Sequence, residues 1–273
     1  MSRSRHHRNI YNNQQGDATG FGVTTTAPAQ TLTINSLGVS EEVIVDWGDG
    51  QTDAYTGTAQ RTHQYADASD YTISFDKPEA VTTFDLRDNK ATLNSADLKA
   101  MVNIEAFIAT GVKAGTFDSA DFVNMTSLTQ FQLFSMSTGY AGTFDSADFV
   151  NMTSLTQFRL SSMPTGTYTF TITNDASFAN WSVVSNFQMQ GNSLTQAQVD
   201  TILYSLYVAS TSRTATNGTI NVGESNAAPS GTFQAAASCP VDTDTPGKEV
   251  AHELLNDTCA EGFNTWATVT FTA

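Results

Sequence analysis

The stretch Ala114 to Phe131, AGTFDSADFVNMTSLTQF, returns letter for letter as Ala141 to Phe158, an offset of 27 residues. Segments duplicated in this way are like units of an array, and such units bury their hydrophobic faces by stacking on their neighbours. The skeleton extends beyond the identical copies. Asn94-Ser-Ala-Asp-Leu98, Asp118-Ser-Ala-Asp-Phe122, Asp145-Ser-Ala-Asp-Phe149 and Asn174-Asp-Ala-Ser-Phe178 each precede a short apolar run. The runs are Ile104-x-x-Phe107, Leu128-x-x-Phe131-x-Leu133, Leu155-x-x-Phe158-x-Leu160 and Val184-x-x-Phe187-x-Met189, with Val81-x-x-Phe84-x-Leu86 in front.

The Asn or Asp that opens each SAD-like segment is suited to cap a short helix, and the second acid then lies in the first turn, where the helix dipole favours it. Alternation in L-x-x-F-x-L predicts a short parallel strand with its apolar residues facing the core. This pattern resembles the leucine-rich repeat, with Phe often replacing Leu, over roughly Val81 to Val222, and is closest to the irregular repeats of bacterial and phage surface proteins. The resemblance implies a solenoid. The Asn that usually follows the strand is missing from the identical copies, where Met136 and Met163 stand nearby, and only Gly191-Asn192 approaches it. Asn192 to Leu206 predicts a longer helix with Leu194, Val199, Ile202, Leu203 and Leu206 on one face. Gly218 to Val222 is expected to be the closing strand of the array, and Asn226 to Gly231 an irregular turn.

The same alternation places Asp85, Ile108, Gln132, Arg159 and Gln188 on one outward row, with Gln130, Phe134, Gln157 and Gln190 beside it. These are the candidate binding residues, for a host surface protein or a glycan.

Upstream, Glu42-Val-Ile-Val-Asp-Trp-Gly-Asp-Gly50 is a strand running into a turn, followed by His63-Gln-Tyr65 and Tyr71-Thr-Ile-Ser-Phe75. The order W-G-D-G, H-x-Y, Y-x-I resembles the polycystic-kidney-disease domain, a small immunoglobulin-like β-sandwich, with Ser69 where that family usually has Gly. Trp47 and Tyr71 are expected in the core, Gly48 and Gly50 in a tight turn, and His63 in a loop hydrogen bond. Asp46 and Asp49 offer carboxylates in a glycine turn, but a full oxygen shell for calcium is not visible, and no metal or other cofactor is expected.

The expected architecture is therefore β-rich: a flexible arm over residues 1–22, an immunoglobulin-like sandwich over 23–80, a leucine-rich-repeat-type solenoid with short helices over 81–222, and a small β-rich C-terminal module over 223–273. Three of the 12 basic residues, Arg3, Arg5 and Arg8, lie in the first eight positions, leaving nine against 27 acidic residues in the remainder. Such a body repels nucleic acid. The arm, with His6-His7 as a polar tail, is the expected assembly element, docking on other virion proteins or on a second copy. No apolar segment suggests membrane insertion, and the start lacks the apolar core of a secretory signal.

Cys239 and Cys259 either close a 20-residue loop as a disulfide or remain free thiols in a reducing host. Lys248 to Leu255 and Thr265 to Phe271 are expected to be strands. His252-Glu253-Leu254-Leu255-Asn256 begins like a zinc-protease helix but has Asn where the second ligand His is required, so no catalytic residues are assigned. Extracellular-type modules without a visible export signal suggest a non-enzymatic phage virion surface protein, such as a fibre, tail-tip or capsid-decoration component. The alternative is a bacterial cell-surface or secreted adhesin.

Overall fold

A computed structural model describes residues 20–88, 90–172, 178 and 180–273. Arg3, Arg5, Arg8 and His6-His7 lie outside the described residues, as do Asn174 to Ser177 of the last SAD-like segment. The protein is β-rich, with one mixed sheet of 15 strands and two α-helices among the described residues.

The first four strands are β1 (Gly20–Thr24), β2 (Gln30–Asp46), β3 (Thr52–Tyr65) and β4 (Asp70–Phe75). β4 pairs antiparallel with both β1 and β2, and β3 pairs with β2. The arm expected over residues 1–22 gives way to a strand at Gly20, because Phe21 and Val23 are buried in the core. Trp47 and Tyr65 are fully buried, whereas Tyr71 is half-buried and stacks on Tyr65 at 4.2 Å.

Two parallel ladders follow. The strands in chain order are β5 (Val81–Leu86), β6 (Ala91–Thr92), β7 (Ala106–Thr110), β8 (Ala114–Asp118), β9 (Gln130–Phe134), β10 (Gly139–Asp145), β11 (Gln157–Ser161), β12 (Tyr168–Thr171) and β13 (Asn186–Gln188). β5, β7, β9, β11 and β13 pair in parallel as one ladder, and β6, β8, β10 and β12 as the other. β2 pairs with β5 and β1 with β6, both antiparallel, so the first four strands join the two ladders into one sheet across the residue 80 boundary.

Equivalent residues of the duplicated segments pack alike. Phe117 meets Phe122 at 5.5 Å and Phe131 at 6.0 Å, while Phe144 meets Phe149 at 5.4 Å and Phe158 at 6.0 Å. Along the first ladder Phe84, Phe107, Phe131, Phe158 and Phe187 form a continuous column, with ring centroids 5.4–6.3 Å apart. All five are buried.

The SAD segments are 3-10 turns rather than α-helices. Asp118 and Asp145 cap them by accepting from Ala120 N and Ala147 N, but Asn94 does not cap; its Oδ1 accepts from Thr116 of the next unit. The second acids do more than meet a dipole: Ser95 donates to Asp121 and Ser119 to Asp148, while each serine accepts the backbone N–H of Asp118 or Asp145 at 2.8 Å. These carboxylates therefore connect consecutive units.

Helix α1 (Gln196–Ser210) starts at Thr195, whose side chain forms a capping box with Gln198. Asn192 lies before it and is buried: its amide donates to Leu160 O and Met189 O, and its Oδ1 accepts from Met163 N. Asn226, in the segment expected to be an irregular turn, repeats the arrangement one unit on, donating to Met189 O and Val222 O and accepting from Asn192 N and Leu194 N.

Gly218 to Val222 contains β14 (Thr219–Asn221), but it does not close the array. Helix α2 (Gly247–Asn256) follows, and then β15 (Thr268–Thr270) adds in parallel to β14 as the last rung. The strand expected over Lys248 to Leu255 is this helix, opened by Pro246-Gly247, with Val250, Ala251 and Leu254 buried on one side. Its buried Glu253 accepts from Ala236 N, Cys259 N and Thr258 Oγ1. Burial alone would push this carboxyl up, but the hydrogen bonds outweigh it and its pKa lies below the ordinary value. Arg213 is also buried; it donates to Asn264 O and Thr265 O and lies 3.9 Å over Trp266. Gly218 makes room for it, since a Cβ there would come within 2.2 Å of Arg213 Nη2.

Cys239 and Cys259 form a disulfide with Cα atoms 5.5 Å apart.

Phe131→Ala or Phe158→Ala removes one ring of a column in which every ring covers the next. Each should cost about 3–5 kcal/mol in denaturant unfolding. Reduction of the disulfide should cost about 3 kcal/mol, read as a lowered midpoint in the same measurement with and without reductant.

Candidate recognition face

Successive strands of the first ladder are hydrogen-bonded in parallel without slippage, so residues of equal position form straight rows about 4.8 Å apart. Asp85 pairs with Ile108, Ile108 with Gln132, Gln132 with Arg159, and Arg159 with Gln188. The row continues to Asn221 and Thr270 at one end and to Ser36 at the other. Asn221 was within reach of sequence reasoning, because the alternation in Gly218 to Val222 turns it to the same side as Gln188. Gln130 and Gln157 belong to the adjoining row, which runs on through Asn186, Thr219 and Thr268. Phe134 lies in a third row, opposite Ser161.

Amides tie the rows together. Gln132 donates to Gln157 Oε1 at 3.1 Å, and Gln188 to Asn186 Oδ1 at 3.0 Å. Asp85 is only 7% exposed and engaged by Arg87 through two 2.8 Å hydrogen bonds; this pairing raises the pKa of Arg87. Arg159 differs. Its guanidinium lies 3.6 Å from the centre of the Phe134 ring, and its Nε donates to Ser161 Oγ at 2.9 Å. Burial pushes its pKa below the ordinary guanidinium value, opposed by the nearby Glu224 carboxylate. Gln190 is buried, and its Oε1 has no hydrogen-bond partner.

Beside the start of the row an open cleft of about 570 Å³ is lined by Thr31, Thr33, Asn35, Arg87, Asp88, Lys90 and Gly111. Lys90 and Arg87 are paired there with Asp88 and Asp85 at 2.8 Å. Sequence reasoning missed this cleft, because β2 and the loop after β5 meet only through the antiparallel pairing of those strands.

The Trp47 to Gly50 turn is self-satisfied. Asp46 Oδ1 accepts from Gly48 N, Asp49 Oδ1 accepts from Gln51 N, and Asp49 Oδ2 lies 2.8 Å from His63 Nε2. His63 stacks flat on Trp47 at 4.8 Å. Gly48 has φ +80° with Thr72 O directly beside it, which explains the need for glycine. Among the described residues no group of three or more His, Cys, Asp or Glu side chains is arranged to hold a metal ion. Asn256, at the position of the absent second ligand, donates to the backbone of His252.

No protein-family model matches this sequence, and no curated protein matches it either.

Asp49 yields a pH prediction. Burial alone would raise its carboxyl, but the hydrogen bond to His63 and then that from Gln51 N outweigh burial, and the pKa falls below 3.8. A carboxylate whose folded pKa is depressed stabilises the fold above its unfolded pKa and loses that contribution as pH falls through the folded value. Asp49→Asn should therefore be less stable than the native chain at neutral pH, and the difference should narrow below pH 3.8 in urea unfolding followed against pH.

Proposed function

We propose that this chain is a non-enzymatic surface protein of a phage virion, a fibre, tail-tip or capsid-decoration component. In this reading the polar strand face contacts the host, and Arg3, Arg5 and Arg8 attach the protein to other virion proteins or to a second copy. The observation that carries it is the straight row Asp85–Ile108–Gln132–Arg159–Gln188, continued by Asn221 and Thr270. A rigid ladder holds these side chains at fixed spacing, which suits recognition of an extended surface ligand.

Two finer fold assignments belong to the same proposal. The stacked aromatics Trp47, His63, Tyr65 and Tyr71 support a polycystic-kidney-disease-like unit, here continuous with the ladders. The buried asparagines Asn192 and Asn226 support a leucine-rich-repeat-type solenoid. The Cys239–Cys259 disulfide supports a working life outside a reducing cytoplasm, and it favours equally the second reading, a bacterial surface or secreted adhesin.

Mass spectrometry of density-gradient-purified phage particles separates the two: peptides of this chain at structural stoichiometry are expected in particles, and their recovery only from the bacterial envelope or medium would favour the adhesin. Changing Gln132, Arg159 and Gln188 together to Ala should weaken attachment of the purified protein to host cells at least tenfold while leaving the melting temperature nearly unchanged. Undiminished attachment removes this face from consideration.

A further inference from the structure

Within the recognition face, the end nearest β13 has a character that the rest lacks. Arg159 is stacked on Phe134 and held by Ser161, so the plane of its guanidinium is fixed. Among the described residues its one hydrogen bond leaves from Nε, and the terminal amino groups remain as a forked donor. Gln188 lies beside it on the paired strand, and Gln190, two residues further on the same side, holds a buried carbonyl oxygen without a partner. Glu224 supplies an exposed carboxylate close to Arg159 and to Gly191, where a Cβ would lie 2.7 Å from Glu224 Oε2.

Resting on the reading of this face as a recognition surface, we propose that Arg159, held in place by Phe134 and Ser161, forms with Gln188 and Glu224 a subsite for an extended neutral polysaccharide. Vicinal hydroxyls donate and accept at once. A fixed guanidinium fork, a primary amide and a carboxylate answer both roles.

Charge selects neutral over anionic glycans. The chain carries a net charge of −15, and Glu224 offsets the charge of Arg159 at the subsite itself, so a uronate or sulfated chain gains little from the guanidinium and meets the repulsion of the acidic body. The chemistry of the face selects a glycan over a protein. Protein interfaces are centred on apolar or aromatic anchors entering pockets, whereas Phe134 is covered by Arg159. The large hydrophobic side chains exposed among the described residues, Val102 and Phe233, belong to no strand of this face. The strand spacing of about 4.8 Å is close to the length of one pyranose in an extended chain, so the amides of neighbouring strands can meet successive sugars.

The test is calorimetric titration of the full chain with cellohexaose, maltohexaose, xylohexaose and chitohexaose, with a galacturonate hexamer as the anionic arm. Saturable binding of at least one neutral hexamer is expected, weakened at least tenfold by Arg159→Ala. Arg159→Lys, which keeps charge but loses the planar fork, should bind nearly as weakly as Arg159→Ala. Melting temperatures show whether each variant is folded. Absence of binding by every neutral hexamer at millimolar concentration, binding of the galacturonate alone, or full affinity in Arg159→Ala overturns the proposal. Attachment to host cells before and after periodate oxidation of their glycans separates this failure from failure of the face itself. Attachment that depends on Gln132, Arg159 and Gln188 but survives periodate keeps the recognition face and rejects the glycan.

Discussion

The column of Phe84, Phe107, Phe131, Phe158 and Phe187 is the contact on which the remaining structure depends. Each inner ring is covered on both sides by the rings of the neighbouring strands, so no unit completes its core alone. Parallel pairing without slippage is the condition for that stacking, and the stacking in turn holds the register, since a shift by one residue would turn the phenylalanines to solvent. The outward rows are the other side of the same constraint: wherever Phe131 and Phe158 stack, Gln132 and Arg159 must align.

Polar contacts between units hold the column from its flanks. Ser95 and Ser119 each engage the backbone and an acid of the next unit. On another side, Thr129 donates to Glu105 O and Thr156 to Thr129 O, both at 2.9 Å. Buried polar groups left without partners are costly, so the buried hydroxyls of Ser95 and Ser119 resist slippage as well as stabilising the aligned state. Asn192 and Asn226 take over this role near the C-terminal end, where methionines no longer fill the space.

A stack of this kind exposes its terminal faces, and different chemistry covers each. At the beginning, β1, β2 and β4 bridge the two ladders and close them with antiparallel pairing. At the other end, α1 packs against α2, β15 extends the ladder, and Arg213 and Glu253 hold loop backbone through hydrogen bonds. The disulfide secures a segment that has few buried apolar residues. The aligned polar rows thus sit on the most regular part of the molecule, where spacing is set by the backbone.

By itself the sequence determined the repeating unit, the strands around Phe131 and Phe158, the inward phenylalanines and the alignment of Ile108, Gln132, Arg159 and Gln188, because each is encoded by local alternation or by letter-for-letter duplication; it did not show that Asp85 and Gln190, expected to face outward, are buried. The helix around Ile202 was legible from its own helical spacing, and His63 as a hydrogen-bonding residue from the W-G-D-G, H-x-Y order. Tertiary structure alone decided matters whose partners lie far along the chain. Asp121 and Asp148 looked like helix-dipole acids until the serines 26 and 29 residues earlier reached them. Asn226 looked like turn until Met189 O, 37 residues away, accepted its amide. Gly20 to Thr24 is too short to announce a strand and becomes one only between β4 and β6, whereas the helix over Lys248 to Leu255 was legible locally, since Val250, Ala251, Leu254 and Leu255 recur at helical and not at alternate spacing. Local pattern encodes which side a residue faces; which distant group it meets there depends on how the units stack, and that is a property of the assembled core.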